Sequence, residues 1–322
     1  MTETNIQEKI DAILAGNKRQ ITRALSVAEN EGEGWVELLS KLYPQSGTSY
    51  RIGITGPPGA GKSTITQQMI RHYRAAGKRV AVIAIDPTSP FTGGAILGDR
   101  IRMQSETLDP DVFIRSMASR GSLGGLSAKA QELADVLAAS GYDIIIFETV
   151  GVGQSELDIA KAADTTIVVL VPESGDSIQA MKSGLMEIAD IFIMNKSDRD
   201  GADQAVAALK TILTFKITHD AAQWNPPVIK TVGMSGEGIA KVGEAIREHR
   251  EHSERHGMFL ERRKKREEVR IIEEVEHRLR QRFWTTERRD DLRAQIELVT
   301  AYSQSPIGAA MAIIEGVGIA QQ

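Results

Sequence analysis

Between residue 50 and about residue 249, short apolar, β-branched runs alternate with stretches whose apolar residues recur every three or four positions. The runs at 51–55, 79–85, 112–115, 142–147, 165–171, 191–195 and 228–232 predict strands, and the segments between them predict helices. Ile144-Ile145-Ile146-Phe147 is apolar at every position rather than every second one, which predicts strands covered on both faces. Strands that alternate with helices need crossovers, so the expected fold is α/β with a mostly parallel sheet flanked by helices. Ligands of such sheets sit at the carboxyl ends of the strands.

The flanks read differently. Residues 6–42 carry short amphipathic helical patterns, with Ile10, Ile13 and Leu14 on one face, and Pro44, Ser46 and Gly47 punctuate their end. Beyond residue 250 the strands stop. Val269, Ile272, Val275, Leu279 and Phe283 then form one apolar stripe amid dense Arg and Glu, as in a long amphipathic helix. The expected division is an N-terminal helical section at 1–48, an α/β domain at 49–250 and a C-terminal helical arm at 251–322. A charged helix with one apolar stripe suits a dimerisation arm. The basic run Arg262–Arg266 reads as a solvated face balanced by Glu261, Glu267 and Glu268.

Composition narrows the function classes. The 322 residues are 41% hydrophobic and 25% charged, enough for a sizeable core. Thirty-nine basic against forty-three acidic residues give a net charge of −4, which argues against nucleic acid as a partner. No apolar run is long enough to cross a membrane, and residues 1–20 lack the apolar block of a signal peptide. A cytoplasmic protein is expected. The chain has no cysteine, which removes disulfides, thiolate metal sites and cysteine nucleophiles.

Chemistry concentrates at the predicted strand ends. Gly56-Pro57-Pro58-Gly59-Ala60-Gly61-Lys62-Ser63 matches the P-loop pattern in full, between a strand and a helix that includes Thr64. Its glycines let backbone amides converge on phosphate oxygens, and the helix amino end adds donors and a favourable dipole. Lys62 is placed to reach the β and γ phosphates, and the Ser63 hydroxyl to ligate Mg²⁺. The fold is therefore expected to be a P-loop NTPase.

Asn195-Lys196-Ser197-Asp198 closes a later apolar run and matches the Asn-Lys-x-Asp pattern of guanine-specific proteins. Guanine presents N1–H and an exocyclic amino group, two donors that the Asp198 carboxylate can accept together. Adenine lacks that pair and leaves the carboxylate unmatched. Lys196 is expected along the base, with Asn195 bracing the loop. Ser235-Gly236-Glu237-Gly238 resembles the last guanine-contacting loop of GTPases, with Val232-Gly233 where a Ser-Ala pair is usual, so Gly233 joins the nucleotide-binding candidates.

Asp86 ends the second predicted strand and opens a Ser/Thr/Gly-rich stretch that contains Asp99. Glu148-Thr149-Val150-Gly151 ends another strand. A carboxylate there reaches Mg²⁺ directly or through water, and the Gly151 amide meets the γ-phosphate. Ser63, Asp86, Asp99 and Glu148 are thus the metal candidates. In Ras-like enzymes a glutamine right after that glycine orients the attacking water. Val152 stands there and cannot, and Gln154 is out of register, so slow intrinsic hydrolysis that a partner accelerates is expected.

The P-loop run from Arg51, Ile85-Asp86-Pro87-Thr88-Ser89, Thr92-Gly93-Gly94-Ala95-Ile96-Leu97-Gly98-Asp99-Arg100 and Glu148 through Glu156 together resemble the MeaB/MMAA (ArgK-type) G-protein chaperones of adenosylcobalamin-dependent acyl-CoA mutases. The resemblance implies a homodimeric GTPase of the signal-recognition-particle and MinD-like class. It implies association with methylmalonyl-CoA mutase or a close relative, gating of cofactor loading from an adenosyltransferase, and removal of damaged cobalamin. Gly175-Asp176-Ser177-Ile178-Gln179-Ala180-Met181-Lys182 matches the family's lysine-bearing switch, which makes Lys182 a candidate catalytic group beside Lys62 and Asp99. Pro57 and Pro58 replace the second P-loop lysine of the wider class, which suits Lys182 in its place.

Two other readings compete. A metal-insertion GTPase could use His249, His252 and His256, at helical spacing, although a charged and solvated segment is expected there. A small-molecule P-loop kinase is disfavoured by the guanine pattern. Cobalamin binding by this chain is not expected, since no histidine has the Asp and Gly spacing of the usual lower-ligand motif.

Overall fold

Neighbouring residues of the predicted strands part to opposite faces of one sheet. Ile145 and Phe147 join one buried cluster, while Ile144 and Ile146 join another. Ile167 and Val169 likewise split from Val168 and Leu170. This period of two explains why the runs are apolar throughout: both faces are covered.

The computed structural model describes residues 3–87, 106–119, 125–149, 155–172, 184–214 and 223–316. All seven predicted strands form: β1 (Tyr50–Thr55), β2 (Val80–Pro87), β3 (Val112–Ser119), β4 (Ile144–Thr149), β5 (Thr165–Leu170), β6 (Ile191–Met194) and β7 (Val228–Lys230). They make one sheet in the order β3-β2-β4-β1-β5-β6-β7, and every pairing is parallel. The helices of this part are α1 (Glu3–Leu14), α2 (Lys18–Glu29), α3 (Trp35–Leu42), α4 (Lys62–Ala75), α5 (Gly125–Ala139), α6 (Ser155–Ala162), α7 (Leu185–Ile188), α8 (Ala202–Thr214) and α9 (Ile239–Arg255). α4 and α9 cover one face through Ile65, Met69, Val242 and Ile246. α5 covers the other with Leu133, Val136 and Leu137.

The N-terminal helices α1–α3 share that second cluster. Ile10, Ile13, Ile21, Leu25 and Leu42 are buried with residues of α5, β2 and β4. Each fully buried Ile or Leu contributes about 1.5–3 kcal/mol by leaving water, so this section adds to the stability of the sheet.

The chain forms two compact units, Met1–Arg266 and Glu267–Gln322, and the division falls inside α10 (Met258–Phe283). The second unit contains the rest of α10, α11 (Thr286–Thr300) and α12 (Pro306–Glu315). Thr285 and Ser305 cap the last two by accepting from the N–H groups of Arg288 and Gly308. Ile272, Val275 and Leu279 of the predicted stripe are half or more exposed in the single chain. Among the described residues no helix is long and apolar enough to cross a membrane.

The amino ends of the strands hold a polar assembly that corrects two sequence expectations. Asp164 and Asp190 stand immediately before β5 and β6, and each accepts from the backbone N–H of a neighbouring strand, Arg51 at 3.0 Å and Thr166 at 2.8 Å. Arg262 reaches Asp190 at 2.7 and 2.9 Å, and Arg263 and Arg266 reach Asp164 at 2.9 and 3.0 Å. The basic run is therefore not simply a solvated face: three of its arginines neutralise buried carboxylates. Burial alone would raise the Asp190 carboxyl, but hydrogen bonds and charge from His249 and Arg262 outweigh it and hold the group down at about 2.

His249 is likewise not solvated. It is 1% exposed and continues the buried face of α9 set by Val242, Ala245 and Ile246. Its Nδ1 lies 2.7 Å from Thr165 Oγ1, which lies 2.6 Å from the Tyr50 hydroxyl, and its Nε2 lies 3.2 Å from Asp190 Oδ1. A carboxylate only accepts, so Nε2 carries the proton. Thr165 Oγ1 links Nδ1 to the Tyr50 hydroxyl, so these buried polar groups run as one chain from Asp190 to Tyr50. His252 and His256 fall outside that chain, their rings lying 4.3 Å apart with His252 also against Trp224, and among the described residues no group of three His, Cys, Asp or Glu could hold a metal.

Candidate nucleotide site

The sheet order sets β4, β1, β5 and β6 side by side. Their carboxyl ends therefore bring Glu148, the P-loop, and Asn195 into one row, although 139 positions separate Gly56 from Asn195.

The P-loop leaves β1 at Gly56 (φ 136°), where a Cβ would strike the Val169 carbonyl of β5. Gly59 (φ 76°) and Gly61 (φ 89°) also take left-handed backbone that favours glycine. Gly61 caps α4, a helix of 14 residues whose amino end faces the loop. Ala60 is buried, Pro57 is half-buried, and Pro58 and Gly59 are exposed. Lys62 is buried. Its Nζ donates to the carbonyls of Gly56 at 2.7 Å and Pro57 at 3.0 Å. Thr64 lies in the first turn of α4, half-buried, with its methyl group beside Gly233.

Ser63 Oγ donates to Glu148 Oε1 at 2.6 Å. Glu148 is 1% exposed, in register with Ile54 of β1. A hydroxyl and a buried carboxylate in contact are hard oxygen donors of the kind Mg²⁺ takes, so these residues fit that ion. Asp86 lies in β2, beside β4, and its side chain falls outside the described residues. Asp99, Gly151 and Lys182 also fall outside them.

Asn195 is 2% exposed and ties three segments together. Its Nδ2 donates to the Ala60 carbonyl at 2.8 Å, and its Oδ1 accepts from Thr231 Oγ1 at 3.1 Å and from the Gly233 N–H at 3.0 Å. Lys196 adopts left-handed backbone (φ 56°) and donates from Nζ to the Gly59 carbonyl at 2.9 Å. Asp198 is exposed at the mouth of the same loop. The P-loop, the Asn-Lys-x-Asp segment and the 231–238 loop are thus brought together. Two contributors escaped sequence reasoning. Thr231 orients the Asn195 amide, and Gln68 of α4 donates from Nε2 to the Gly233 carbonyl at 3.0 Å. Polar helix and strand-end residues carry no signal of such contacts.

Farther along α4, Gln67 and Arg71 grip the buried Glu106 carboxylate, each with a contact of 2.9 Å. That carboxylate follows directly on the stretch that contains Asp99.

Comparison with known proteins points one way. Residues 19–288 match the family model described as methylmalonyl Co-A mutase-associated GTPase MeaB. A Pyrococcus abyssi protein is 50% identical over 270 residues, which make up 83% of each chain. The GTPase ArgK of Escherichia coli is 36% identical over 254 residues, 76% of each chain. Among solved structures, a LAO/AO transport system kinase superposes with a TM-score of 0.73 at 26% identity, covering 99% of both chains.

Proposed function

The chain belongs to the MeaB family of methylmalonyl-CoA-mutase-associated GTPases, and from that premise we propose that it is a GTP-hydrolysing chaperone of an adenosylcobalamin-dependent acyl-CoA mutase. It is a GTPase of the MeaB/ArgK class. The client is methylmalonyl-CoA mutase or a close relative, whose cofactor loading from an adenosyltransferase it gates and whose activity it protects. The observation that carries the nucleotide half of this reading is Asn195, which couples the P-loop at Ala60 to the 231–238 loop at Gly233.

The chemistry follows from residue types and placement. Backbone amides of the P-loop and the amino end of α4 bind the phosphates, and Lys62 exchanges its two carbonyl partners for β and γ oxygens. The Asp198 carboxylate accepts the two guanine donors while Lys196 lies along the base, with Gly233 nearby. Ser63 and Glu148, joined by Asp86 and Asp99, are the residues that would hold Mg²⁺, which supplies neutralisation of charge developing on the phosphates. Gly151 contributes its amide to the γ-phosphate. Val152 cannot orient water, so the chain alone hydrolyses GTP slowly, and Lys182 is the group delivered when the mutase engages. The exposed stripe at Ile272, Val275 and Leu279 supports a homodimer through an arm at 251–322, following a helical section at 1–48 and a GTPase domain at 49–250. The protein works in the cytoplasm and binds no cobalamin itself.

Phosphate release from GTP, measured with and without purified acyl-CoA mutase, tests this. The mutase should accelerate turnover of the intact chain, and Lys182→Ala should blunt that acceleration. Turnover that no such mutase alters would refute the partnership. Unchanged stimulation of Lys182→Ala would remove Lys182 from the mechanism.

A further inference from the structure

The peptide that joins Gly233 to Met234 is held on one side only. Gln68 Nε2 donates to its carbonyl at 3.0 Å. The preceding peptide is held as well, because the Gly233 N–H donates to Asn195 Oδ1 at 3.0 Å. Gly236 lies against the same glutamine: a Cβ there would stand 3.2 Å from Gln68 Oε1. The loop turns back between these points, where the Gly236 N–H donates to the Val232 carbonyl at 2.9 Å and Val232 bridges to Glu237.

A peptide is planar and trans, so its C=O and N–H point in opposite directions. By drawing the Gly233 carbonyl onto α4, Gln68 turns the Met234 N–H away from α4. Among the described residues nothing accepts from that N–H. Met234 itself is 87% exposed at the loop tip. We propose that Gln68 is a positioning residue for base recognition, which aims the Met234 N–H at the 6-oxo group of a guanine held by the neighbouring Asn195–Asp198 segment. The inference rests on the guanine reading given above. Guanine carries an acceptor at position 6 and adenine a donor, so a fixed N–H there favours one and repels the other. Asp198 then reads the two donors, and the Met234 N–H the acceptor, of one guanine edge.

The test is nucleotide release, followed by stopped-flow fluorescence of labelled GDP and labelled IDP from the full chain. IDP keeps the 6-oxo group and lacks the 2-amino group. Gln68→Met keeps the bulk and loses the donor. It should speed release of both nucleotides by a common factor of about three to ten, leaving the GDP-to-IDP ratio that Asp198 sets unchanged. Gln68→Glu keeps the shape but places an acceptor against the Gly233 carbonyl, and should speed release of both further, with the melting temperature of each variant recorded alongside. Unchanged release from Gln68→Met overturns the inference. A collapse of the GDP-to-IDP ratio also overturns it, because the glutamine would then be supporting the whole base site instead of one contact. If the unaltered chain holds ADP as tightly as GDP, the guanine reading itself fails, which is a different result from either.

Discussion

Asn195 Nδ2 donates to the Ala60 carbonyl at 2.8 Å across 135 positions of sequence, so the Asn-Lys-x-Asp segment is fastened to the P-loop. A nucleotide that orders one loop therefore meets the other already aligned. The same contact explains why Gly61 has no room for a side chain: a Cβ there would strike that amide.

Gly61→Ala should therefore abolish tight binding while sparing the fold. The substitution combines left-handed strain with displacement of the Asn195 amide, together about 3 kcal/mol, or a loss of about a hundredfold in GTP affinity. Calorimetric titration with GTP, beside a thermal melt of the free protein, checks both halves.

Glu148→Gln should leave nucleotide affinity in chelator nearly unchanged and raise the Mg²⁺ concentration needed for half-maximal turnover by about tenfold or more. The amide keeps the shape that meets Ser63 but loses the charge that attracts the ion. A Mg²⁺ titration of phosphate release measures the shift.

Acid should weaken the chain through Asp190. Its folded-state carboxyl lies at about 2, below the ordinary 3.8, so its contribution is complete above pH 4 and drains away as pH falls toward 2. A shift of this size is worth about 2 kcal/mol. Urea midpoints taken from pH 5 down to pH 2.5 should fall more steeply for the intact chain than for Asp190→Asn, which starts less stable and has no such carboxylate to protonate.

The sheet was legible because each strand is a dense apolar run, and parallel strands buried on both faces admit few other readings. The P-loop and the Asn-Lys-x-Asp segment stood out in the sequence because their glycines and residue order are what phosphate and guanine recognition would require, and the fold brings the two together. The arginine run was misread for a physical reason. Arg262 and Arg266 look balanced by near neighbours in sequence, but their partners Asp190 and Asp164 lie 72 and 102 positions upstream. A local signal did exist. Asp143, Asp164 and Asp190 each stand one residue before an apolar strand, and each caps the backbone of an adjacent one. A carboxylate carried into the sheet's edge requires a cation from elsewhere. His249 was misread similarly, since its charged neighbours in sequence lie on the other side of α9. The role of Gln68 could not be read at all, because only the folded loop places the Gly233 carbonyl beside it.

The most direct measurement of the central claim is calorimetric binding of non-hydrolysable GTP and ATP analogues to the intact chain and to Asp198→Ala. The account predicts that the intact chain prefers the guanine nucleotide by about a hundredfold or more, and that the substitution removes most of that preference through loss of guanine affinity alone. Undiminished guanine preference in Asp198→Ala, or equal affinity for both nucleotides in the intact chain, would contradict it.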